Sequence, residues 1–220
     1  MSLNRREILA KLADYRSTWA SGAWRSQTSK ADRENEARDE EERLSIFENF
    51  IEANPKCFER TNLKGHLTGS AMIVRPDLHS VLLTHHRKLG KWLQLGGHAD
   101  GHPRIHEVAM REGEEESGIS RLQFHSYEQQ VFPEALSLES PLIFDLDAHF
   151  IPTRGKEPEH IHYDVRFLVV ASAEAAHKIS DESLDLQWFP IAEARRANPE
   201  ASMQRQFDKI NFIASRLVGR

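Results

Sequence analysis

Apolar residues recur at helical spacing near the start of the chain and again at its end. Ile8, Leu12, Tyr15 and Trp19 stand three or four apart among charged residues, which predicts an amphipathic helix over residues 3–20, ended by Ser21-Gly22. Residues 30–43, KADRENEARDEEER, are densely charged and read as the solvated face of a second helix. Leu44, Phe47, Phe50 and Ile51 then supply an apolar face up to Asn54-Pro55, where the helix must stop. Phe207, Ile210, Ala214 and Leu217 mark a helix over 203–218. Between these ends the pattern turns extended. Residues 66–74 (HLTGSAMIV), 80–85, 144–151, 160–171 and 184–189 read as strands.

Two of the strands alternate cleanly. His160, His162, Asp164 and Arg166 point one way, and Ile161, Tyr163, Val165 and Phe167 the other. Asp145, Asp147 and His149 are opposed in the same manner to Phe144, Leu146, Ala148 and Phe150. Paired as a hairpin, the two strands present one polar wall, which either faces solvent or lines a site. The chain therefore divides into a helical extension, residues 1–60, and a main domain, residues 61–220. The extension either caps the domain or pairs two subunits as a homodimer.

Composition adds limits. The 220 residues suffice for one sizeable domain with an extension. A net charge of -5 argues against a nucleic-acid polymer as partner. Cys57 is the one cysteine, so no internal disulfide is possible, which fits a reducing compartment. The N-terminus carries charges where a secretion signal needs an apolar run. No apolar stretch approaches the ~20 residues of a membrane span. The expectation is a cytoplasmic protein with no membrane partner.

The chemistry concentrates in residues 96–119, GGHADGHPRIHEVAMREGEEESGI. Glu112, Glu115 and Glu116 are three and four residues apart, on one face of a helix. Pro103 suits the first turn of that helix and Gly118 its C-terminal cap. Clustered hard oxygens beside a Gly-Gly loop suit a divalent cation carrying a phosphate. The stretch resembles the Nudix hydrolase box: Gly, five residues, Glu, seven residues, then Arg-Glu-hydrophobic-any-Glu-Glu-any-Gly-hydrophobic. Gly97, Arg111, Glu112, Glu115, Glu116, Gly118 and Ile119 fall in register. Pro103 stands where the first Glu belongs, and Gly113 where a hydrophobic residue belongs. Glu107, four residues before Arg111, is a candidate to replace the missing partner of that arginine.

The resemblance implies an α/β/α sandwich with a mixed sheet. It also implies Mg2+ or Mn2+ held by Glu112, Glu115, Glu116 and the carbonyl of Gly97, with Arg111 orienting the carboxylates and Glu115 or Glu116 as base. The implied activity is hydrolysis of a diphosphate linkage in a nucleoside diphosphate derivative or similar small organic pyrophosphate. Arg87, Lys88 and Arg166 are candidates to contact substrate phosphate.

A second, shorter resemblance lies within the same superfamily. Isopentenyl-diphosphate isomerases open their domain with a His-Leu strand, carry Gly-His near the box, and place a Glu-any-Glu pair before an apolar strand core. These residues bind their metal. Here His66-Leu67, Gly97-His98 and His160-Ile161-His162 take those places. The resemblance implies His66, His98, His160 and His162 as ligands, and imidazoles suit a second, transition-metal ion. The isomerase activity itself is disfavoured, because Leu95-Gly96-Gly97-His98 lacks the cysteine that those enzymes use for proton transfer. An isomerase-like enzyme and a non-catalytic nucleotide-binding module with a decayed box remain the alternatives.

Overall fold

The computed structural model describes residues 1–21, 24, 30–133, 141–155, 158–172, 174–175, 177–178 and 183–217. Helices α1 (Leu3–Ser17) and α2 (Lys30–Ala53) come first. Strands β1 (Gly65–Val74), β2 (Ser80–His86), β3 (Lys91–Leu93) and β4 (Leu95–His98) lead to helix α3 (Ile105–Ser117). Then follow β5 (Gln123–Phe124), α4 (Glu128–Val131), β6 (Asp145–Ile151), β7 (His160–Val170), β8 (Ser183–Pro190), α5 (Ile191–Ala197) and α6 (Ala201–Leu217). The expected helices and strands are present. One expectation fails: the Gly96-Gly97 stretch is not a loop but part of strand β4, paired with β1.

The sheet is mixed. β1 and β7 run parallel over their whole length, placing His66 beside His162 and Thr68 beside Asp164. On the other side of β7, β6 pairs antiparallel, as the alternation predicts, with His149 opposite His162 and Asp145 opposite Arg166. β4 pairs with the middle of β1, setting Thr68 opposite His98. β2 takes the end of β1 and carries β3 and β8. A slip of one residue in any of these pairings would turn the histidines to the opposite face.

Helices cover both faces. α3 lies so close to β1 that a Cβ on Gly69 would sit 2.7 Å from the Ile105 carbonyl oxygen. α6 lies over the other face, where Arg205 and Lys209 reach Asp145. This is the α/β/α sandwich. The polar wall of β6 and β7 does not simply face solvent. Asp145, Asp164 and Arg166 are buried under α6, and only its end at His149 is exposed.

The N-terminal helices spend their apolar faces inside the chain. Trp19 is fully buried and meets the rings of Trp24, Tyr127, Phe132, Phe144 and Phe212. Phe50 stacks on Tyr163 of β7 with 3.7 Å between ring centres. The residues of α1 and α2 belong to the same apolar cluster as Phe167 and Phe207 of the domain. Within the charged run of α2, one residue departs from the solvated expectation. Glu40 is fully buried, facing Lys209 at 2.9 Å and taking a hydrogen bond from the Tyr15 hydroxyl.

Candidate active site

The candidate site is built where β4 meets α3. The helix buries Ile105, Val108, Ala109, Gly113 and Ser117 against the sheet. That leaves Glu112 and Glu116 half-buried at the flank and Glu115 exposed beside them. Gly118 closes the helix in the left-handed conformation at φ 65, its amide bonded to the Glu114 carbonyl at 2.9 Å. Pro103 lies outside the helix, two residues before Ile105.

The glycines of β4 let the carboxylates approach the backbone. A Cβ on Gly97 would stand 2.5 Å from the Glu112 carboxyl carbon. The Gly96 amide donates to Glu116 Oε2 at 3.3 Å. Arg111 Nη2 donates to Glu112 Oε1 at 2.7 Å and reaches the His98 carbonyl at 3.4 Å. Its hydrogen bond to Glu112 raises the Arg111 pKa further, so the guanidinium stays charged. Gly97, Arg111, Glu112 and Glu116 are thus brought together, with Glu115 one turn along. This set of hard oxygens beside a strand carbonyl fits a divalent cation.

The two departures from the box have physical readings. Gly113 packs on β1: a Cβ there would be 3.2 Å from both Ala71 Cβ and Leu122 Cδ1, so the space for a larger side chain is already filled. Glu107 does not replace the missing partner of Arg111. It is taken by Arg104 at 3.0 Å and His102 at 3.3 Å, while Arg111 turns to Glu112.

The glycines support a pair of expected results. A Gly97→Ala methyl collides with a flexible carboxylate, which can swing away. Melting should shift by only a few degrees, while turnover falls on the order of tenfold or more because Glu112 is displaced. A Gly96→Ala methyl would lie 2.7 Å from Ser70 Cα, and backbone cannot swing. That variant should lose about 1–3 kcal/mol of stability as overpacking. Thermal melts beside turnover assays check both, and equal stability losses would refute the distinction.

Other candidates take different places. Arg166 is buried, bonded to Asp164 at 2.8 Å, Asp147 at 3.0 Å and Asp145 at 3.1 Å. Three carboxylates already hold it, so a role in meeting substrate phosphate is not what this geometry offers. Arg87 and Lys88 lie in the exposed turn between β2 and β3, where Arg87 donates to the Ser183 carbonyl at 2.9 Å. Sequence reasoning missed the support behind β4. Asp164 accepts from Ser70 at 2.7 Å, Thr68 at 2.9 Å and Gln94 at 3.2 Å. These residues come from β1, β7 and the link between β3 and β4, and no local pattern marks them.

The histidines do converge. Ligand atoms of His66, His98 and His162 lie within 4.8 Å of one another. His160 joins through its Nε2, 3.0 Å from His162 Nε2. Burial first, then neighbouring imidazoles, push the pKa of His66 down to about 4 and that of His162 to about 2, so both are neutral at physiological pH.

The family model for the NUDIX domain matches residues 65–209. Among solved structures, a C. elegans Ap4A hydrolase binary complex is similar at 18% identity over 70% of this chain and 98% of that one, with a TM-score of 0.48. A NUDIX-family hydrolase from Clostridium perfringens is similar at 21% identity over 67% and 97%, with a TM-score of 0.48. The E. coli dihydroneopterin triphosphate pyrophosphohydrolase is similar at 15% identity over 65% and 92%, with a TM-score of 0.47. No curated protein matches the chain. The family match runs from the first residue of β1 into α6 and spans well over half of the chain, β4 and α3 included: the chain belongs to the NUDIX domain family.

Proposed function

We propose that the protein is a divalent-metal-dependent pyrophosphohydrolase acting on a small organic diphosphate, such as a nucleoside diphosphate derivative. The observation that carries this is the convergence of Glu112 and Glu116 on the Gly96-Gly97 backbone, with Arg111 bonded to Glu112. Glu112, Glu116 and the Gly97 carbonyl would hold Mg2+ or Mn2+, with Glu115 adjoining. When bound, that ion neutralises diphosphate charge and makes water easier to deprotonate.

The protein's own residues do the rest. Arg111 fixes Glu112 and braces the His98 carbonyl, which keeps β4 in register with the helix. Glu116 is tied to the Gly96 amide. Glu115 is exposed and has no hydrogen-bond partner among the described residues, so it is the carboxylate free to accept a proton from the attacking water. The water oxygen bonds to phosphorus, the bridging phosphorus–oxygen bond breaks, and the leaving phosphate departs with the bridging oxygen.

No described helix is long and apolar enough to cross a membrane. A buried free Cys57 fits the cytoplasmic location inferred from composition. Turnover of a diphosphate panel with Mg2+ or Mn2+, followed by phosphatase-coupled phosphate release, tests the reading. Release supports a hydrolase. Rearrangement without release would make it an isomerase, and neither would make it a binding module.

A further inference from the structure

We infer that His66, His98 and His162 form a site for one borderline transition-metal ion such as Zn2+, with His160 setting the tautomer of His162 instead of ligating. Its ligands are imidazoles and not the box carboxylates, so it does not rest on the hydrolase reading. His66 carries the first argument. It is 1% exposed, and neither of its ring nitrogens has a hydrogen-bond partner among the described residues. A buried imidazole with two orphaned nitrogens requires an explanation. Its ring centre lies 5.0 Å from that of His98 and 4.8 Å from that of His162. Ligand atoms of all three gather within 4.8 Å.

Hydrogen bonding supplies the second argument. His160 Nδ1 lies 2.8 Å from the Pro158 carbonyl oxygen, which can only accept. A neutral His160 therefore carries its proton on Nδ1 and offers a lone pair at Nε2. His162 Nε2, 3.0 Å away, must then be the donor. That leaves His162 Nδ1 with a free lone pair. The series Pro158, His160, His162 is the kind of outer hydrogen-bond support that fixes the tautomer of a ligating histidine.

His98 is equally constrained. Arg60 Nη2 lies 3.1 Å from its Nδ1, and a guanidinium can only donate. His98 thus presents a lone pair that an exposed cation now meets. Arg60, also bonded to Asp100 at 2.8 Å, competes with an incoming metal ion for that lone pair. The ligands themselves must be neutral to bind a metal ion. Three imidazoles select Zn2+ or Co2+ over Mg2+ and leave a fourth position open.

Titration of the untagged, chelator-stripped full chain with Co2+ alone tests this. The expected result is a visible absorption band of four-coordinate Co2+ that saturates at one ion per chain and is displaced by Zn2+. His162→Ala should weaken binding at least tenfold, and His160→Ala roughly tenfold with an unchanged band. Arg60→Ala should tighten binding, and Glu116→Gln should leave the band as it is. His66→Asn, a fifth variant, should also weaken binding at least tenfold, and if it fails to fold the half-buried His162 variant carries the test. A missing band, or one that survives His162→Ala at full affinity, overturns the site. Loss of stoichiometric binding in His160→Ala would make that residue a ligand and overturn the three-histidine assignment.

Discussion

A Glu115→Gln or Glu116→Gln variant should fold like the parent and turn over its diphosphate on the order of a hundredfold more slowly, or worse. Glutamine keeps the size of the side chain and removes the charge. For Glu115 the folding side is simple: the residue is exposed, makes no hydrogen bond among the described residues, and buries nothing when changed. For Glu116, the Gln carbonyl can still accept from the Gly96 amide now 3.3 Å from the carboxylate. Stability should therefore move by no more than about 0.5 kcal/mol for exposed Glu115, as for other surface changes, and by about 1 kcal/mol or less for half-buried Glu116. What is lost is a hard anionic ligand, and for Glu115 the proton acceptor as well. A pH–rate profile separates the two roles. Loss of the base should remove the acidic limb of the profile, whereas loss of a ligand should raise the Mg2+ concentration needed for half activity. Full activity of either variant on a confirmed substrate would sink the assignment of both.

The site was legible only in part. The register of Gly97, Arg111, Glu112, Glu115 and Glu116 is local, because one helix and one strand end carry it, and the helix period places the carboxylates without knowledge of the sheet. Strand alternation did the same for His160 and His162. Glycines have low strand propensity, so Gly96-Gly97 read as a loop. Pairing with β1 overrides that propensity, since only residues without a Cβ fit between Ser70 and Glu112. Glu107 was read as the partner of Arg111 from i,i+4 spacing alone. Arg104 and His102, at the unravelled start of the helix, win it instead. Arg166 stands among the phosphate-contact candidates because alternation shows which face a residue takes, not what covers that face. α6 covers it, from residues beyond 200.

Glu40 is the extreme case, and it carries the second large effect. Nothing local separates it from Glu41, yet Glu41 is half-exposed and paired with Arg16, while Glu40 is fully buried. Its partner Lys209 is also fully buried, 2.9 Å from Glu40 Oε1, 2.8 Å from Asp145 and 2.7 Å from the Tyr15 hydroxyl. Burial pushes the Glu40 carboxyl pKa up, but Lys209 and Arg43 more than offset this and hold it below the usual value. Replacing Lys209 by Met removes that cation. Asp145 keeps Arg205 at 2.8 Å and Arg166 at 3.1 Å. Among the described residues Glu40 keeps Arg43 at 3.3 Å as its one directly paired cation, with the neutral Tyr15 hydroxyl donating to it, so it becomes the buried charge without adequate compensation. Lys209→Met should therefore cost about 3–5 kcal/mol, the range for breaking one side of a buried ion pair. Adding Glu40→Gln removes the stranded charge and should restore most of the loss, since replacing both members of such a pair is often close to neutral. Urea midpoints for the parent, both single variants and the double variant give the coupling directly. If Lys209→Met proves too unstable to purify, recovery of soluble protein in the double variant has the same meaning. A double variant no more stable than Lys209→Met would show that Asp145, not Glu40, depends on the lysine.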